Sequence, residues 1–244
     1  MTNSTPRIQA VIFDMDGVLI DAKDWHYQAL NDALVQLGYL PITPAEHETT
    51  YDGLPTLAKL KALASIGRVP DDSEIHETIN ELKQELTITA TKRLCKPYAP
   101  HLKAMQTLKA QGRRIAVASN SVRSSVDEMM MLSGLAPYLE FTLSNQDVPR
   151  AKPFPDLYLE ALRLLGLPAS ACLVVEDNPK GIAAAQAAGL SVLAVANVHE
   201  VTDENIQQAI VELDAFLSNS AGGIVPQSTV FYVNQLSHKI PMAL

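Results

Sequence analysis

Short contiguous runs of apolar residues recur along the chain: AVIF at 10–13, IAVA at 115–118, CLVV at 172–175 and SVLAVA at 191–196. Runs of this length without polar alternation suit strands buried on both faces, as in a parallel sheet covered by helices on each side. The segments between them carry helix punctuation. Pro100 opens one that stops near Gly112, Pro155 another that stops near Gly166, and Pro179, after a capping Asn178, a third that stops near Gly189. Proline suits the first helical position, where no N–H donor is needed, and glycine suits the left-handed residue just past the end. After Thr202 and Asp203, Ile206, Ile210, Leu213 and Leu217 share one face of a last helix. Strands alternating with helices in this way predict a doubly wound, Rossmann-like α/β core with a parallel sheet.

Residues 22–97 break the alternation. They hold no strong strand run, only helix-like stretches at 24–37, 55–66 and 73–95. The expected organisation is therefore an α/β core of residues 1–21 and 98–217, with residues 22–97 as an inserted α-helical cap domain. Its hinges lie near Ile20–Ala22 and Lys96–Ala99. The tail, 218–244, is Ser/Gly-rich and then apolar (STVFYV), and reads equally as an edge strand or a partner surface.

Composition narrows the function. The chain has 244 residues, 47% of them hydrophobic, enough for one large domain or for a core domain with a smaller insert. A formal charge of −8 argues against nucleic acid or an anionic membrane as partner, so an anionic ligand needs local attraction. Cys95 and Cys172 lie far apart and in no metal-binding spacing, which predicts reduced thiols. No apolar run approaches the roughly 20 residues that cross a bilayer, and MTNSTPRIQ lacks the apolar region of a signal peptide. The expectation is a cytoplasmic protein.

The candidate chemistry lies just after the strand runs. Ligands of open α/β sheets sit outside the carboxyl ends of the strands. Asp14 and Asp16 follow the first run, Ser119 the second, and Glu176 with Asp177 the third. Carboxylate oxygens are what Mg²⁺ prefers, commonly with substrate phosphate completing its shell. Lys152 adds a cation that would answer an anion. Each residue also has a plainer reading. DMDG resembles the start of a calcium loop, but its glycine comes too early and Val18, Leu19 and Ile20 stand where ligands are needed. It also suits an ordinary strand-ending turn. Ser119 suits a helix N-cap, and Lys152 a solvated surface position.

Taken together, FDMDGVLID, VASNS, KPFPDLY and VEDNPKGIAAAQAAG, in this order, resemble the four motifs of the haloacid dehalogenase-like hydrolase superfamily. The resemblance is to the subgroup of sugar phosphatases and β-phosphoglucomutase, and KPYAPHLKAMQTLKAQG resembles its return from a helical cap. It covers about residues 8–196; the cap and tail match only loosely.

The resemblance implies a Mg²⁺-dependent phosphatase acting on a small phosphorylated metabolite, with a sugar phosphate as the class. It makes Asp14 the nucleophile that forms an aspartyl-phosphate, and Asp16 the group that protonates the leaving alcohol and then activates water. That role requires the pKa of Asp16 to be raised. The implied metal site is Asp14, Asp177 and the backbone carbonyl of Asp16, with Glu176 beside them to bind metal or orient a ligand. Ser119 and Asn120 would hold a phosphoryl oxygen, and Lys152 would balance its charge. Asp21 falls at the hinge, with a turn role as open as a catalytic one. Gly53 and His26 are placed at the substrate by the same likeness, a structural role for His26 standing equally open. Trp25 and Tyr27 are expected to pack the cap.

Asp16 argues against a dehalogenase, which has no alkoxide to protonate. A phosphonate hydrolase would need a cap lysine, for which Lys23 is imaginable, but its first motif differs. A phosphosugar mutase is the runner-up. There the cap should anchor a second phosphate, yet Thr56 stands where β-phosphoglucomutase-like proteins carry an arginine, leaving Lys59 or Lys61 to compensate. A catalytically silent binding protein is the remaining alternative.

Overall fold

The computed structural model describes residues 8–219 and 228–236. Its centre is a parallel sheet of β1 (Ala10–Phe13), β2 (Arg114–Ala118), β3 (Phe141–Leu143), β4 (Cys172–Glu176), β5 (Ser191–Ala194) and β6 (Val230–Tyr232), in the order β3-β2-β1-β4-β5-β6. The register pairs Phe13 with Val117 on one side and with Val175 on the other, so the chain leaves β1, β2 and β4 at one level of the same edge. Asp14, Ser119 and Glu176 arrive there together.

Alternate residues of each strand feed opposite cores. Val11, Phe13, Ile115, Val117 and Val175 pack against α5 (Ala99–Ala110), α6 (Arg123–Leu132) and α9 (Asp203–Asn219). Ala10, Ile12, Ala118 and Val174 pack against α7 (Asp156–Leu165) and α8 (Pro179–Ala187). Burial on both faces is why these strands read as unbroken apolar runs. β3 has no such run, because an edge strand of three residues needs little apolar length. β6 adds the other edge and lies within the stretch whose role the sequence left open; the residues around it, 220–227 and 237–244, fall outside the described residues.

The insert comprises α1 (Lys23–Gln36), α2 (Pro44–Glu46) running into a wider turn at His47–Tyr51, α3 (Thr56–Ser65) and α4 (Ser73–Leu94). It has its own core, built on Leu30, Leu34, Ile42, Leu60, Leu63 and Ile79. Both cysteines are buried and unpaired. Among the described residues no helix is long and apolar enough to cross a membrane.

Candidate active site

The end of β1 delivers Asp14 into a buried charge network. Lys152 Nζ donates to Asp14 Oδ1 at 2.6 Å, to Glu176 Oε1 at 2.6 Å and to the carbonyl of Ala118 at 2.8 Å. Glu176 is fully engaged: Tyr158 donates its hydroxyl to Oε1, and the N–H groups of Asp177 and Asn178 point at Oε2. Glu176 thus holds Lys152 in position, a contact that neither of its two expected roles included. Lys152 is 4% exposed, so the solvated surface reading does not apply. Burial works to lower its pKa, but the charges of Asp14 and Glu176 carry it well above the ordinary lysine value. Burial and the charge of Glu176 push Asp14 up, with Lys152 opposing them.

Asp16 lies among cap and core groups. His26, on α1, has Nε2 3.1 Å from Asp16 Oδ1, and Ser121 donates its hydroxyl to Oδ2 at 2.6 Å. Lys83, on α4, stands 3.1 Å from His26 Nδ1. An ammonium can only donate, so Nδ1 accepts and the imidazole N–H at Nε2 faces the carboxylate. The expected upward shift of Asp16 does not occur. Burial acts upward, but His26, the hydroxyl of Ser121 and the charge of Lys83 outweigh it, holding Asp16 below its ordinary value. Burial and the repulsion of Lys83 lower His26 in turn.

The residues also fit a hard divalent cation. Asp14, Glu176 and Asp177 each offer an oxygen, all within 4.8 Å of one another. Both Asp177 oxygens are buried without a well-formed hydrogen bond, although Oδ2 lies 2.5 Å from Lys23 Nζ. Buried carboxylates gathered this closely repel one another, a cost that a divalent cation relieves. Burial raises Asp177 to about 6, with Lys23 opposing. Gly17 permits the close approach: its φ is +90°, and a Cβ there would stand 2.1 Å from Asp177 Oδ2. With Glu176 tied to Lys152, the carboxylate oxygens left for a metal are those of Asp14 and Asp177.

Asn120 joins cap and core. Its amide nitrogen donates to the carbonyls of Gly53 and Lys152, and its oxygen accepts from the N–H of Lys152. Ser119 is buried and accepts from the N–H of Ser121, while α6 starts later with Val122 as its uncapped N-terminal residue. Ser119 is therefore no N-cap. Gly53 takes φ +71° over Asn178, whose side chain donates to Asp52, and Lys180 donates to the Asp52 carbonyl. Asp14, Asp16, Ser119, Asn120, Lys152, Glu176, Asp177, His26 and Gly53 all line one cavity. Asp21, Trp25 and Tyr27 do not; Asp21 and Trp25 line a second one behind the hinges.

Sequence reasoning missed Ser121, Lys83, Tyr158 and the Asp52 to Lys180 contact. Lys83 left a signal: it falls on the stripe of His76, Ile79, Thr87 and Thr91 that α4 buries, where a lysine is out of place. Ser121 left none, since its pairing with Asp16 spans 105 positions.

Comparison with known proteins agrees with this geometry. The profile of the haloacid dehalogenase-like hydrolase family matches residues 11–195. Protein CbbY of Rhodobacter capsulatus is 32% identical over 197 residues, which cover 77% of this chain and 85% of that protein. Hexitol phosphatase B of Escherichia coli K12 is 26% identical over 220 residues, covering 89% and 97%. The fold is shared with β-phosphoglucomutase from Clostridium difficile, at a TM-score of 0.75 and 20% identity, over 85% of this chain and 99% of that one.

Proposed function

The chain belongs to the haloacid dehalogenase-like hydrolase family and is a phosphoric monoester hydrolase of that type, and we propose that it releases phosphate from a small phosphorylated metabolite, a sugar phosphate by class, through an aspartyl-phosphate on Asp14. The observation that carries this reading is the Asp14 carboxylate held 2.6 Å from a buried ammonium at the floor of the cavity, with a second carboxylate two residues on.

A carboxylate must be ionised to attack a phosphate, and it must not be repelled by it. Lys152 serves both ends: it favours the ionised form of Asp14 and sets a positive charge where the phosphoryl oxygens arrive. Ser119 and the N–H of Asn120 lie at the adjacent strand end, in place to hold one of those oxygens. Mg²⁺ held by Asp14, Asp177 and the Asp16 carbonyl would neutralise further phosphoryl charge.

In the first step an Asp14 oxygen bonds to phosphorus as the ester P–O bond breaks, and Asp16 gives its proton to the departing alkoxide. In the second, Asp16 takes a proton from water as that water attacks the phosphorus, freeing inorganic phosphate and the Asp14 carboxylate. The low pKa of Asp16 before substrate binds suits the second step. The first is supplied by the substrate, since a phosphate dianion arriving beside Asp16 raises its proton affinity. His26 and Ser121 hold its two oxygens in place.

The test is phosphate release across a panel of phosphorylated sugars, nucleotides and small acids, with and without Mg²⁺. Metal-dependent release that Asp14→Asn abolishes supports the reading. Conversion of hexose 1-phosphate to hexose 6-phosphate without release would instead point to a mutase.

A further inference from the structure

Lys23 opens α1 directly after the first hinge, and its side chain reaches back to the core. Its Nζ stands 2.5 Å from Oδ2 of Asp177, a side chain only 1% exposed. The same ammonium lies 3.9 Å from Oδ2 of Asp52, on the cap loop before α3. Lys23 therefore has two carboxylates in reach, one on the core and one on the cap.

Gly17 makes the first contact possible. A Cβ there would stand 2.1 Å from Asp177 Oδ2 and 2.5 Å from Lys23 Cε, so the bare backbone lets carboxylate and lysine stem lie side by side against the turn after β1. Asp177 is also one of the three acidic residues whose oxygens gather within 4.8 Å, and with Glu176 tied to Lys152 it is one of the two left to hold a divalent cation. An ammonium and Mg²⁺ on one buried carboxylate would repel each other where little solvent screens them. One must yield. The lysine can, because its stem is flexible, its side chain is 36% exposed and Asp52 offers a second partner.

We propose that Lys23 and Mg²⁺ compete for Asp177: the ammonium holds the carboxylate until the metal arrives and is then passed to Asp52. This rests on the reading of Asp14 and Asp177 as the metal's carboxylates. Lys23 and Asp52 both belong to the cap, whereas Asp177 belongs to the core. The exchange thus replaces a tie between the two bodies with one inside the cap. Lys23 is then not the amine of a phosphonate hydrolase but the residue that sets how tightly the metal binds.

Mg²⁺ must displace the ammonium, so its apparent affinity is reduced by the share of molecules in which Asp177 is taken. Two measurements test this without using activity. In calorimetry, Lys23→Met, uncharged and of similar length, should bind Mg²⁺ about tenfold or more tighter than the unaltered protein, and Lys23→Arg should stay close to the unaltered protein. Thermal unfolding should show an inversion. Without Mg²⁺, Lys23→Met should melt at a lower temperature than the unaltered protein, because Asp177 has lost its partner beside Asp14 and Glu176; in saturating Mg²⁺ it should melt at the same temperature or higher. Asp52→Asn should weaken Mg²⁺ binding in the chain that keeps Lys23, and by clearly less in the Lys23→Met background.

Equal Mg²⁺ affinity in unaltered and Lys23→Met protein overturns the proposal. So does a Lys23→Met protein that is less stable by the same margin with and without Mg²⁺, the mark of a lysine that only braces the fold. An equal effect of Asp52→Asn in both backgrounds overturns the transfer to Asp52. Failure of the metal reading looks different: neither protein then takes up Mg²⁺, and any phosphate release proceeds without it, an outcome that removes both claims.

Discussion

At the scale of single residues the site is decided by which carboxylates are compensated and by what. Asp14 and Glu176 share one lysine. Asp16 is served by an imidazole and a hydroxyl, and Asp177 meets only Lys23. Four carboxylates at one sheet edge are thereby set in three different surroundings. The partner of Asp16 makes a signed prediction. His26 lowers Asp16, so His26→Ala removes that hydrogen bond while burial goes on pushing upward. The base form needed for hydrolysis of the aspartyl-phosphate is then lost at higher pH. The acid limb of kcat against pH should move upward, and kcat at neutral pH should fall by about tenfold or more. An unmoved acid limb would remove His26 from the mechanism.

At the scale of elements, precision comes from helices that press their backbones on the strand ends. α8 enters so closely that a Cβ on Gly181 would stand 1.8 Å from Glu176 Oε1. Gly181→Ala must displace Glu176 from Lys152 or push α8 off the sheet, at a cost of about 1–3 kcal/mol. Urea denaturation should show the loss, and unchanged stability would mean that the helix can slide freely.

Which elements were legible in the sequence follows from the same packing. β1, β2, β4 and β5 are buried on both faces and so read as apolar runs, whereas β3 is a short edge with no such mark and β6 lies in the apolar STVFYV stretch that the sequence left open between an edge strand and a partner surface. The three longer cap helices were visible as helix-like stretches, but the turn at His47–Tyr51 was not, since nothing in HETTY sets a helical period. The strand-end residues could be named because adjacent parallel strands bring them to one level. Contacts between cap and core could not, because Asn120 to Gly53 and Asn178 to Asp52 are set by how two bodies dock, which no local pattern records.

At the scale of the molecule, the inserted cap stands over the strand ends with the loop at Asp52 and Gly53 fixed to the core by Asn120, Asn178 and Lys180. This docking sets His26 on Asp16 and brings Lys59 and Lys83 to the cavity, so that core and cap both line it. Water exclusion by such a closure strengthens every charge interaction inside.

The claim on which the rest depends is that Asp14 becomes covalently phosphorylated. Its most direct test is to quench the protein in acid during turnover of a substrate it hydrolyses, and to weigh the peptide that contains residues 11–21. That peptide should carry one added phosphoryl group, placed on Asp14 by fragmentation and absent from the Asp14→Asn protein. Turnover with no such adduct, together with phosphate release that persists in Asp14→Asn, would contradict the account.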